Sequence, residues 1–166
     1  IILGHPSERG SLGESGDTSM IFDEHVVADL INTVGLAAQY AAATGAAGYL
    51  SIGAELVSSN SAMLLAKYRS GFHEVLNGTR QVTGTSGRSE QLSDLDDLAA
   101  PGPSRVAVAR LLALDLFSAF GLPEVQQITA DGELALDHFY KHRQDRVKEW
   151  ASAAGIPVVD QLRPPG

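Results

Sequence analysis

The feature that most constrains this chain is a change of hydrophobic period over a few residues. Val27, Leu30, Ile31, Val34, Ala38 and Ala41 recur at helical spacing and line one side of a helix expected over roughly 24–43. Asp23 is placed to cap that helix, Glu24 adds negative charge near its positive end, and Gly45 supplies a left-handed stop. Only a few residues later Leu50, Ile52, Ala54 and Leu56 alternate with Ser51, Gly53 and Glu55, which is the period of a half-buried strand over 49–57. A chain that shifts from 3.6 to 2 so abruptly is expected to be α+β.

Beyond that strand, Ser58-Ser59-Asn60-Ser61 reads as a turn into a second strand, Met63–Arg69. Ser70-Gly71 then turns into a third, Phe72–Val75, with a further pairing past Asn77-Gly78 into Thr79–Thr83. No crossover helix separates these runs, so they predict a small antiparallel meander of three or four strands. Residues 84–90 read as a polar loop and 91–99 as a short acidic helix. Two long helices are then expected, from Ser104 to about Phe120 and from about Asp131 to Ala154, each closed by Gly with Pro beyond.

The chain opens on Ile1-Ile2-Leu3 without Met, and residues 4–20 hold four Gly, four Ser and one Pro. Residues 1–20 are therefore expected to be a linker or flexible arm of a longer chain, 21–157 a single α+β domain, and 158–166 a tail. At 166 residues and 44% hydrophobic content the chain is not disordered, and its apolar runs fall short of the ~18–20 residues that cross a bilayer. It has no Cys, which excludes disulfides, a thiol nucleophile and thiolate metal sites. The formal charge of −8 argues against a body that coats nucleic acid by charge alone. Together with the lack of an export signal it points to the cytoplasm.

Several polar groupings invite a chemical reading. His138 and His142 stand four apart on the expected last helix, with Asp145 and Glu149 on the same face, a spacing that can present two imidazoles and a carboxylate to a metal ion. The apolar stripe of that helix is Leu136, Phe139, Tyr140, Val147, Trp150 and Ala154, so these polar groups fall on the side a helix normally gives to solvent. Lys141, Arg143, Arg146 and Lys148 make the one basic cluster, with Lys141, Arg146 and Lys148 the candidate phosphate contacts. Asp145 and Glu149 dilute it, and no aromatic ladder stands beside it.

Arg143 falls inside its helix's apolar stripe, and Asp115 falls likewise among Val108, Leu111, Leu112 and Ala119 on the preceding helix. Opposite charges at core-facing positions of two adjacent helices predict a partly buried ion pair, Asp115 with Arg143, or else two walls of a ligand cleft. His25, Asp29 and Asn32 share the polar face of the first helix, and the His25–Asp29 pair with Ser15 or Ser19 makes a triad on paper only. His73 and Glu74 would point to opposite faces of a strand. The acidic run Glu90, Asp94, Asp96 and Asp97 lacks the Gly and terminal Glu of a calcium loop.

The order of segments also carries a likeness. A helix ending Tyr40-Ala-Ala-Ala-Thr44-Gly45, a strand led by Gly48 and a strand Thr79-Arg80-Gln81-Val82-Thr83 come first. An acidic helix from Leu92 to Leu98, a Pro break, Arg110-Leu-Leu-Ala-Leu114 and Phe120-Gly121 follow. Over about residues 23–122 this resembles the carboxy-terminal region of bacterial Schlafen-group proteins with an AlbA-like DNA-binding or ATP-binding domain. The resemblance implies that the nucleic-acid-binding domain lies upstream, so none of its functional residues carries over.

The resulting expectation is a non-catalytic accessory or interaction domain of a larger bacterial protein linked to nucleic acid or its regulation. It is expected to take a protein partner or to self-associate, without a cofactor and without a membrane. The alternatives are a metal-dependent hydrolase at His138 and His142 with Asp145 or Glu149, and a small-molecule-binding domain near Asp115 and Arg143.

Overall fold

A computed structural model describes residues 18–57, 62–69, 72–75, 82–83 and 86–160. In chain order the elements are β1 (Thr18–Phe22), α1 (Asp23–Ala43), β2 (Tyr49–Leu56), β3 (Ala62–Arg69), β4 (Phe72–Val75), β5 (Val82–Thr83) and β6 (Ser86–Asp94). These are followed by α2 (Leu95–Ala99), α3 (Pro103–Ala119), β7 (Leu134–Ala135), two 3₁₀ turns at Leu136–His138 and Lys141–Arg143, α4 (Gln144–Ala153) and β8 (Val158–Val159). The α+β class and the long first helix are as the periodicity predicts.

The whole expected stripe of α1 is buried, with Val27, Val34 and Ala38 fully enclosed. By length and composition α1 would pass as a membrane span, contrary to the expectation that no segment is apolar enough. Its packing against α3 and the main hydrophobic cluster makes it instead the central helix of the core. Helices α1, α3 and α4 stop in one manner. At the end of α1, Gly45 N–H donates to Ala42 O at 3.1 Å and Ala46 N–H to Ala41 O at 3.0 Å. That double closure needs a left-handed residue between, and Gly45 takes it at φ +77°. Gly121 and Gly155 occupy the same place after α3 and α4.

The strands do not form the expected meander. β1 pairs parallel with β3, Met20 opposite Leu64 and Phe22 opposite Ala66, with α1 and β2 lying between them in the chain. β4 and β5 then add to β3 antiparallel. β2 leaves its sequence neighbour and pairs antiparallel with β6 as a separate two-stranded ribbon. The parallel pair has apolar groups on both faces: Met20, Phe22 and Ala66 form one buried cluster, while Met63 and Leu65 join the main core.

Two segment readings are corrected as well. Thr18–Met20, read as the end of a linker, lie in β1; residues 1–17 fall outside the described residues, as do 58–61, 70–71, 76–81, 84–85 and 161–166. Val158 and Val159, read as tail, pair with Leu134 and Ala135. Residues 86–90 of the expected polar loop and the first part of the acidic helix are in fact β6. That strand was hidden because its inward-facing residues are Ser89, Gln91 and Ser93, which give no apolar alternation. Only Leu95–Ala99 is helical, started by Asp94, whose Oδ1 accepts from Asp96 N–H at 2.9 Å.

The expected long helix over 131–154 is broken, and only Gln144–Ala153 is α-helix. Ahead of it, Ala135 N–H donates to Gln127 O at 3.0 Å and Leu134 N–H to Pro157 O at 2.9 Å. Tyr140 N–H is taken by Glu24 and the Gln144 side chain donates to Leu136 O at 3.0 Å, so tertiary partners replace the helical ladder. The tight turn at Thr129–Gly132 lies under α3. A Cβ on Gly132 would sit 2.8 Å from Pro103 O at φ +78°, so only glycine fits.

Candidate functional site

The densest polar grouping lies where β1 runs into α1. Phe22 takes the N-cap position with extended backbone and no side-chain cap bond, so Asp23 does not cap the helix as expected. Asp23 and Glu24 instead occupy the first turn, both buried, at 3% and 5% exposure. The free N–H groups of that turn favour negative charge there, which offsets part of the cost of burial.

Asp23 Oδ1 accepts from Glu24 N–H at 2.8 Å and Oδ2 from Gln127 Nε2 at 2.5 Å. Gln127 is itself buried and is held by the hairpin bond from Ala135. Burial pushes the Asp23 carboxyl up to about 6, against the lowering effect of those two hydrogen bonds and of the Lys67 charge; the neighbouring Glu24 charge adds to the rise. Glu24 is bound at both oxygens. Arg143 Nη1 donates to Oε1 at 2.8 Å and Tyr140 N–H to Oε2 at 2.9 Å. Arg143 Nη1 also meets His25 Nε2, and the His25 ring stands edge-on to Phe22 at 5.6 Å between centroids. Burial lowers the His138 pKa, the Lys67 charge lowers it further, and Asp137 opposes both.

Asp23, Glu24, His25 and Arg143 thus converge at the start of α1. Chemically, a carboxyl near pKa 6 can hold or release a proton around neutrality. Yet both oxygens of Asp23 and both of Glu24 are engaged inside the fold, and the partners tie α1 to the 127–143 segment.

The other candidate residues are dispersed. His138 lies in the first 3₁₀ turn and His142 in the second, with Phe139 extended at φ −98°, ψ 152° between them. The common helical face required by the metal reading is thus absent, and Asp145 and Glu149 are exposed on α4. Among the described residues no group of three or more His, Asp or Glu is placed to hold a metal ion. Lys141, Arg146 and Lys148 are exposed, Lys141 in the second 3₁₀ turn and the other two on α4.

Asp115 and Arg143 do not pair. Asp115 is exposed and accepts from Ser89 Oγ at 2.7 Å and Gln91 Nε2 at 3.3 Å, while the break in the last helix delivers Arg143 to Glu24. Asn32, on the same face of α1 as His25 and Asp29, accepts at Oδ1 from Trp150 Nε1 at 3.1 Å. Ser15 lies outside the described residues, as do the side chains of Ser19, His73 and Glu74. Glu90 accepts from Ser51 Oγ at 2.6 Å, so the acidic run is divided between strand and helix cap.

One buried cation went unremarked in the sequence. Arg105, 8% exposed, donates from Nε to Leu98 O and from Nη2 to Ala99 O, each at 2.7 Å, and so closes the end of α2. Burial lowers its pKa.

Compared with protein-family models, with curated proteins and with solved structures, the chain finds no match in any of the three.

Proposed function

We propose that this chain is a non-catalytic accessory domain that works by binding protein, within a larger bacterial, cytoplasmic protein concerned with nucleic acid. The observation that carries the binding part is the outer side of the β2–β6 ribbon. Tyr49 and Leu92 are diagonal neighbours there, 73% and 67% exposed, and Val57 follows the strand at 73%. Large apolar groups gathered on one surface are a feature of association sites. The buried acids support the non-catalytic part, since their oxygens are engaged in holding α1 in place. The link to nucleic acid rests on the sequence resemblance alone.

Multi-angle light scattering across a concentration series tests this reading. A mass above 17.5 kDa that falls when Tyr49 and Leu92 are both replaced by Ser supports it. A mass fixed at 17.5 kDa throughout, in a chain that also retains no protein from a lysate, overturns it. The hydrolase alternative has lost the helical face that was its geometric basis.

A further inference from the structure

We infer that the partner is a second copy of this chain, joined edge to edge through β2 across a twofold axis at Gly53. This deepens the interaction reading and rests on it.

The free edge of β2 can be derived residue by residue. Leu95 N–H donates to Gly48 O at 2.8 Å, which makes Gly48 and Leu95 a hydrogen-bonded pair continuous with the β2–β6 register. Bonded pairs alternate in an antiparallel ladder, so Leu50, Ile52 and Ala54 turn their backbone groups toward β6. Tyr49, Ser51, Gly53 and Glu55 turn theirs the other way. Among the described residues nothing pairs with that edge. It also lacks the usual guards, holding one charge, Glu55, and neither Lys nor Pro. β6 by contrast carries Arg88, Glu90 and Asp94.

The sequence of β2 is chemically palindromic about Gly53. With the axis there, Tyr49 meets Val57 of the other copy, Leu50 meets Leu56, Ser51 meets Glu55, and Ile52 meets Ala54. Moving the axis by one residue in either direction sets Tyr49 against Glu55, or Ser51 against Val57. A twofold contact requires such self-matching, because each residue is met by the symmetry mate of its counterpart. Inward coverage agrees. Of the inward-facing residues on β2, Ile52 is buried, while Leu50, Ala54 and Leu56 stay half-buried. The same residues of a second copy would extend that apolar surface into a four-stranded sheet.

The test uses the absence of native cysteine. A Cβ at Gly53 meets only Ser89 O, at 3.8 Å, so substitutions there fit the single copy. Gly53→Cys places two thiols about 5.5 Å apart at Cα, whereas Ser51→Cys places them about 13 Å apart. A short bifunctional thiol reagent should therefore link Gly53→Cys to a dimer at least tenfold faster than Ser51→Cys. Gly53→Lys, which opposes two ammonium groups, should give a folded chain of 17.5 kDa by light scattering. Equal linking at both positions, or an oligomer indifferent to Gly53→Lys, overturns the edge assignment and leaves the wider interaction reading standing. A wild-type chain that is monomeric at every concentration overturns the pairing of two copies, and one that also retains no protein from a lysate overturns both.

Discussion

Arg143 Nη1 and Glu24 Oε1 meet at 2.8 Å across 119 positions of sequence, and the contact joins the first turn of the central helix to the segment that was expected to be helix. Glu24 is 5% exposed and would be left with a buried charge if the cation were removed. Breaking a fully buried pair costs ~3–5 kcal/mol, but Arg143 is 37% exposed, so Arg143→Ala should cost about 2 kcal/mol in urea unfolding. An unchanged midpoint would mean that Tyr140 N–H alone suffices. Asp115→Ala, at an exposed position, should cost no more than ~1 kcal/mol.

Asp23 makes stability depend on pH in an unusual direction for a carboxylate. Its folded value, about 6, lies above the ordinary 3.8, so the native state holds the proton more tightly than the unfolded chain. The stabilisation is complete below 3.8 and is lost as pH rises through about 6, amounting to roughly 3 kcal/mol by pH 7. His138 works the opposite way: its lowered value gives stability that is present above 6.5 and is lost as pH falls through the folded value. Asp23→Asn removes only the first effect. The stability of that variant relative to the wild type should climb between pH 4 and pH 7, and a flat difference in denaturant titrations would refute the assignment.

Glycine substitutions should separate space from backbone conformation. Gly45 and Gly132 have nearly the same φ, +77° and +78°, but a Cβ at Gly45 meets nothing within 4 Å while one at Gly132 meets Pro103 O at 2.8 Å. Gly45→Ala should cost about 1 kcal/mol for the left-handed backbone alone. Gly132→Ala should cost at least 2 kcal/mol more, because the turn must lift from α3. Equal melting temperatures for the two variants would contradict the packing of that turn.

Arg105 closes α2 with two nitrogens on two successive carbonyls. A Lys ammonium cannot reproduce that planar fork, so Arg105→Lys should lower stability by about 1–2 kcal/mol despite keeping the charge. Differential scanning calorimetry would show it, and a wild-type melting temperature in the variant would assign the role of Arg105 to its methylene stem.

What could be read from the sequence was what local rules decide. The stripe from Val27 to Ala41 and the stops at Gly45, Gly121 and Gly155 depend on neighbours within a turn or two, and all are found as expected. β6 was missed because Ser89, Gln91 and Ser93 face inward without apolar period, their place being set by the backbone of β2. The parallel partner of β1 lies beyond a helix and a strand, out of reach of any window. The cluster at Asp23 and Glu24 depends on Gln127 and Arg143, more than 100 positions away, and two acids at a helix start carry no sign of such partners.

The pairing of β1 with β3 has a practical consequence for anyone who trims this chain. A cut placed after residue 20, where composition invites it, would discard Thr18–Met20 of β1 and strip Ala66 of its buried neighbour Met20. A fragment meant to fold should thus retain Thr18–Phe22, so Gly- and Ser-rich composition is a poor guide to where the chain can be cut.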